Sequence, residues 1–139
     1  MKRYIPLIVF VLTLYGCDID LFGRDVHKIT PCYYLLTGEG QKTLSYNDST
    51  MGSSYVTLIG NEVSAIGQNK NYILIKQHPQ GSTDTANPPI TSYYILPIDT
   101  AIDLKTNYPL IGPLTLNEFE AKRKELHIQD IKFKMVDDF

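Results

Sequence analysis

The chain has no tryptophan, only two cysteines in 139 residues, and no excess of positive charge. Cys17 and Cys32 allow one disulfide at most, which excludes a small scaffold stapled by several bridges. With 13 basic against 15 acidic residues and no basic stripe, nucleic-acid binding, which rests on phosphate neutralisation, is not expected. Gly38-Glu39-Gly40 lacks the rest of any phosphate-loop signature. No Gly-x-Ser-x-Gly elbow occurs, and Ser53 and Ser54 have no indicated base. His27, His78 and His127 stand far apart, without the close spacing of a zinc helix or finger. The expectation is therefore a protein that is not an enzyme, with no catalytic set, no metal site and no cofactor.

What is present begins at the N-terminus. Lys2 and Arg3 precede an apolar run of 12 residues, Tyr4 to Tyr15, interrupted only by Pro6 and Thr13. A spanning helix needs about 20 apolar residues, whereas a signal-peptide core needs roughly 7–15. The run ends in Leu14-Tyr15-Gly16-Cys17, followed by an abrupt polar switch at Asp18. This segment resembles the lipobox of bacterial lipoproteins, with Tyr15 departing from the commoner small residue. The resemblance implies that the Cys17 thiol carries a diacylglyceryl group and that cleavage makes Cys17 the first mature residue. The lipid bilayer is then a partner through acylated, for example palmitoylated, Cys17, since two or more chains hold a protein on a membrane stably. Asp18 resembles the inner-membrane retention signal of enteric bacteria, a rule that transfers poorly between phyla. The expected address is the cell envelope, with the outer membrane favoured over the inner.

On that reading the domains are a signal peptide at 1–16, a lipidated tether at 17–30 and a single domain at 31–139. Loss of Lys2 and Arg3 leaves 11 basic against 15 acidic residues, a mature net charge of −4. With Cys17 acylated, Cys32 has no partner, and its place at the start of an apolar strand points to core packing.

Strand-like segments follow one another. Cys32 to Leu36 and Lys42 to Tyr46 flank the turn Thr37-Gly38-Glu39-Gly40. Tyr55 to Ile59 and Val63 to Gln68 come next. After the turn Asn69-Lys70-Asn71, Tyr72-Ile73-Leu74-Ile75 is apolar on both faces, which predicts a central strand covered on both sides. Pro79 to Thr91 is a polar loop, Ser92 to Ile98 a strand with Pro97 at its end, and Asp99 to Asn107 an irregular helical turn. Thr115 and Glu118 form a capping box that opens the one clear helix, with Leu116, Phe119, Arg123 and Leu126 on one face. His127 to Met135 alternates enough for a last short strand. The predicted fold is α+β: an antiparallel β-meander of about five strands with one C-terminal helix packed on it.

Three stretches together, Asn69 to Gln77, Tyr93-Tyr94-Ile95, and Gly112-Pro113-Leu114-Thr115 leading to Phe119 and Arg123 to Leu126, resemble a family of small Bacteroidetes-type lipoproteins. The resemblance covers most of residues 30–128. That family has no established activity, so no functional residue carries over from it.

The mature chain holds eight tyrosines. The neighbours Tyr33-Tyr34 and Tyr93-Tyr94 place one ring on each face of a sheet. Core packing accounts for such rings; an exposed patch that recognises an envelope protein or glycan is the functional alternative, with Tyr33, Tyr34, Tyr93 and Tyr94 as its residues. The function expected is a membrane-anchored envelope lipoprotein acting as a non-enzymatic binding module. The alternative is an immunity or inhibitor protein against a toxin or envelope enzyme.

Overall fold

A computed structural model of the chain describes residues 23–48, 50–78, 90–98 and 109–139. The signal segment 1–16, Cys17, most of the loop at 79–91 and the expected helical turn at 99–107 lie outside the described residues. The described chain is α+β, with antiparallel strands and one helix. It has nine strands in two sheets, rather than about five in one meander.

The first sheet is ordered β1 (Asp25–Lys28), β2 (Tyr33–Gly38), β3 (Gln41–Tyr46), β4 (Val56–Ile59). β2 and β3 form a hairpin closed by Glu39-Gly40, whose φ values of 49° and 76° match the turn that follows the strands' own twist. β1 falls inside the stretch read as tether. Its residues pair with Tyr34 to Thr37, but three of the four are exposed. An edge strand left in solvent carries no apolar alternation, so its sequence reads as linker.

The second sheet is ordered β8 (Ile111–Leu114), β7 (Ser92–Pro97), β6 (Tyr72–Gln77), β5 (Val63–Gln68), β9 (Lys134–Met135). β5 and β6 are joined through Asn69, whose side-chain oxygen accepts from the amides of Asn71 at 2.8 Å and Tyr72 at 2.9 Å. β6 is the central strand, as its sequence predicts. Ile73 and Ile75 pack toward the first sheet with Leu35, Leu44 and Ile66, while Leu74 packs on the opposite face with Ile95 and Phe119. All three side chains of Ile73, Leu74 and Ile75 are fully buried. Each such side chain contributes about 1.5–3 kcal/mol through burial, so this strand anchors both cores.

The result is three layers: first sheet, second sheet, then helix α1 (Leu116–Glu125) with the C-terminal segment. Thr115 caps α1, and the capping box with Glu118 is complete: the Glu118 carboxylate accepts from the Thr115 amide at 2.8 Å. Those bonds hold the Glu118 carboxyl below its ordinary pKa. Phe119 is the buried residue of α1, while Leu116, expected beside it, is 52% exposed. The segment after the helix is not the strand expected from His127 onward. His127 turns with φ 55°, Ile128 and Ile131 fill the core beneath the helix, and only Lys134 and Met135 join the sheet. Arg123 holds this irregular course by donating to the carbonyls of Gln129 and Ile131, both at 2.8 Å. Cys32 is half-buried against the core between the sheets. No helix among the described residues is long and apolar enough to cross a membrane.

Candidate binding cleft

Layering covers both faces of the second sheet and the inner face of the first. The outer face of the first sheet carries a cleft of about 420 Å³. Strand register builds it. Val26, Leu36 and Thr43 align across β1, β2 and β3, and Lys28, Tyr34, Ser45 and Thr57 align one row away. Residues of one row share a face because antiparallel partners point the same way. Leu36, Thr43 and Thr57 therefore form the floor.

One wall is Tyr55, with Ser53 beside it. The loop before it is tied down locally. Asp48 accepts from the amide of Thr50 at 2.7 Å and from its hydroxyl at 2.5 Å, and Asn47 donates from its side chain to the Gly52 carbonyl at 3.0 Å. The Thr50 bonds hold the Asp48 carboxyl below its ordinary pKa. Beneath the loop, Tyr46 is buried and donates to Asp48 at 3.3 Å; burial first, and the Asp48 charge second, push its pKa up to about 12. Tyr55 then meets Tyr34 edge-on, with ring centroids 5.3 Å apart and planes at 81°.

The opposite rim is Arg24. It is placed by a close backbone approach: a Cβ on Gly38 would sit 2.7 Å from the Gly23 carbonyl oxygen and 3.0 Å from Arg24 Cα. Only glycine lets the entering chain lie so near β2. Thr37, Gly38 and Gln41 complete the lining.

Two properties define what the cleft can do. Its polar side chains, Arg24, Thr37, Gln41, Thr43, Ser53 and Thr57, make no hydrogen bond or ion pair within the chain among the described residues. Their donors and acceptors all remain available to a ligand. None of the lining residues is His, Asp, Glu, Lys or Cys; Arg24 brings the charge and Tyr55 the phenol. Close by, Ser45 is fully buried and its hydroxyl has no partner among the described residues. A second, mostly apolar hollow of about 410 Å³ opens where Ile29, Pro31 and Ile98 meet the Asn69 turn.

The tyrosines singled out from sequence do split by face, and they do not gather into one patch. Tyr33 is buried between the sheets, edge-on to Tyr46 at 5.4 Å. Tyr94 packs on the same core and donates to Gln77 at 3.0 Å. Tyr93 stacks on Phe119 at 4.9 Å beneath the helix. Tyr34 alone of the four lies beside the cleft, donating to the Pro31 carbonyl at 3.2 Å. Cys17 lies outside the described residues. His27 sits by Phe139, His78 lies 2.9 Å from Thr91 Oγ1, and His127 is exposed after the helix. Among the described residues no three His, Cys, Asp or Glu side chains come together in a way that would hold a metal.

Sequence reading missed Arg24, Thr43, Ser53, Tyr55 and Thr57. A signal existed for two of them: Thr43 and Thr57 are polar positions inside strands, each flanking residues that point to the core. Arg24 carried none.

The sequence profile of a family described as "Protein of unknown function (DUF3997)" matches residues 32–137. No curated protein and no solved structure matches the chain.

Proposed function

The chain belongs to the DUF3997 family, and we propose that it is a non-enzymatic binding module, held at the cell envelope by acyl chains on Cys17, that captures its ligand in the cleft on the first sheet. One observation carries this reading. The cleft gathers six polar side chains without partners among the described residues beside an exposed aromatic wall, and its lining carries no carboxylate, imidazole, amine or thiol.

The anchor rests on the Lys2-Arg3 start, the 12-residue apolar run and Leu14 to Cys17. Arg24 follows Cys17 by seven residues, and a chain of that length reaches ~25 Å at most. A lipidated Cys17 would hold the cleft near the headgroup surface, in reach of membrane-proximal components. The small lipoproteins of Bacteroidetes-type bacteria are the class this reading fits, with the outer membrane as the favoured site.

Two measurements test it. Cys17→Ser in the producing cell is expected to leave an uncleaved precursor that takes up no labelled fatty acid; a variant still acylated and processed refutes the anchor. Cross-linking of the full-length chain in native membranes, read by mass spectrometry, is expected to lose its captured component with Tyr55→Ala. A single stoichiometric protein partner that survives Tyr55→Ala would replace this reading with the inhibitor or immunity one.

A further inference from the structure

We propose that the ligand of this cleft is an acidic saccharide, a sugar bearing a carboxylate, bound with its ring against Tyr55 and its acid group on Arg24. The inference rests on the reading of the cleft as a binding site and adds the chemistry of what it binds.

Each part of a uronic acid has a counterpart in the cleft. Tyr55 is 38% exposed and its ring stands perpendicular to that of Tyr34, with centroids 5.3 Å apart. Such a ring offers an apolar surface to the C–H face of a pyranose and a polar tip to water. Thr43, Ser53 and Thr57 supply hydroxyls that both donate and accept, and Gln41 supplies an amide with both functions. Vicinal sugar hydroxyls need that dual capacity. Arg24 supplies the charge. Its planar fork pairs with a carboxylate through two parallel bonds, and it has no ion pair within the chain to give up. The absence of acidic side chains from the lining leaves the anion unopposed at contact range. The volume of about 420 Å³ suits a short oligosaccharide.

A peptide strand fits less well. Strand addition needs the unpaired backbone of a sheet edge. The floor of the cleft is the outer face of β2, β3 and β4, built from the side chains of Leu36, Thr43 and Thr57; β2 and β3 are already paired on both sides, and a ligand on this face meets side chains rather than the free backbone edge of β4.

The test titrates the full-length chain in detergent with a galacturonic acid trimer, a neutral galactose trimer and an oligoglutamate peptide, read by calorimetry and by NMR shifts. The acidic trimer is expected to bind saturably and at least tenfold more tightly than the neutral one. Arg24→Gln is expected to weaken the acidic trimer roughly ten- to hundredfold, the loss of a charged hydrogen-bonding partner, and to leave the neutral one unchanged. Tyr55→Ala weakens both. Thermal unfolding of each variant checks that the fold is retained. The same trimer coupled to lipid in vesicles, compared with the free trimer, separates a membrane-borne glycan from a soluble one. Equal affinity for acidic and neutral trimers, tighter binding of oligoglutamate, or an Arg24→Gln variant that binds normally overturns the proposal. If no saccharide binds but Tyr55→Ala still abolishes envelope cross-linking, the ligand class falls and the cleft stands. If neither Tyr55→Ala nor Arg24→Gln changes cross-linking, both fall.

Discussion

Gly67 of β5 lies directly beneath the carbonyl of Lys132: a Cβ at Gly67 would stand 2.7 Å from that oxygen and 3.0 Å from Ile131 Cγ2. The register places Gly67 opposite Leu74, on the helix side of the second sheet. The C-terminal segment therefore crosses the sheet at backbone contact, and this lets Ile131 reach the core beneath Phe119.

Gly67→Ala is expected to lower stability by about 1–3 kcal/mol, the usual cost of forcing a methyl into a filled space. Gly60→Ala, where nothing lies within 4 Å, is the control and is expected to fall within about 0.5 kcal/mol of the parent. Urea unfolding of the two variants checks this. A Gly67→Ala protein as stable as the Gly60→Ala one would show that the C-terminal segment does not rest there.

Arg123 does three jobs at the end of α1. It pairs with Glu120 at 2.8 Å, ties the carbonyls of Gln129 and Ile131, and lies 5.5 Å over the Phe119 ring. Its side chain is only 12% exposed. Arg123→Ala leaves two carbonyls without their donor, and the expected cost is about 2–3 kcal/mol. Arg123→Lys keeps the charge but loses the fork, so it recovers only part of that loss. Hydrogen exchange is expected to rise first at Ile128 to Ile131 in both variants, ahead of β6.

Alkaline pH probes Tyr46. Its pKa, raised to about 12 by burial and by Asp48, exceeds the value near 10 of an unfolded tyrosine. The folded state thus favours the protonated ring. Its contribution to stability is whole below pH 10 and is lost as pH climbs toward 12. Tyr46→Phe removes that titration, so the variant's stability is expected to fall less steeply over this window. Denaturant midpoints measured from neutral to strongly alkaline pH decide it; parallel slopes in parent and variant would exclude the effect.

What could be read from sequence follows from where the information sits. β6 was legible because Ile73, Leu74 and Ile75 are apolar on both faces, and the helix start because Thr115 and Glu118 are local partners. The division into two sheets was not legible, since β4 and β5 carry the same kind of pattern and only the turn between them, where Glu62 takes φ 73°, sends the chain to a new sheet. β1 was hidden by its exposure. The cleft was hidden for a different reason. Its floor comes from single polar positions on separate strands, and its rim from Arg24 in a stretch without periodicity. These residues become neighbours only through cross-strand register, which a linear pattern does not state. The tyrosine pairs did announce that their rings part to opposite faces, but not that Tyr33, Tyr93 and Tyr94 would all face inward packing.

Gly38 offers a way to move the rim of the cleft without touching a residue that contacts ligand through its side chain. A methyl at Gly38 meets the Gly23 carbonyl at 2.7 Å and Arg24 Cα at 3.0 Å, both backbone atoms that yield only if the chain shifts. The hairpin beyond it is paired along its full length, from Tyr33 with Tyr46 to Gly38 with Gln41, so the entering segment is the part that gives way. Gly38→Ala is therefore expected to displace Arg24 from the floor of Leu36 and Thr43 while leaving Tyr55 in place. A stability loss of about 1–3 kcal/mol accompanies this. In binding, the variant should resemble Arg24→Gln: discrimination between acidic and neutral trimer collapses, and affinity for the neutral one persists. Calorimetric titration with both trimers makes the comparison. If Gly38→Ala kept full discrimination, the close approach of Gly23 and Arg24 to β2 would have no part in aiming the guanidinium, and Arg24 would have to act from a position independent of that contact.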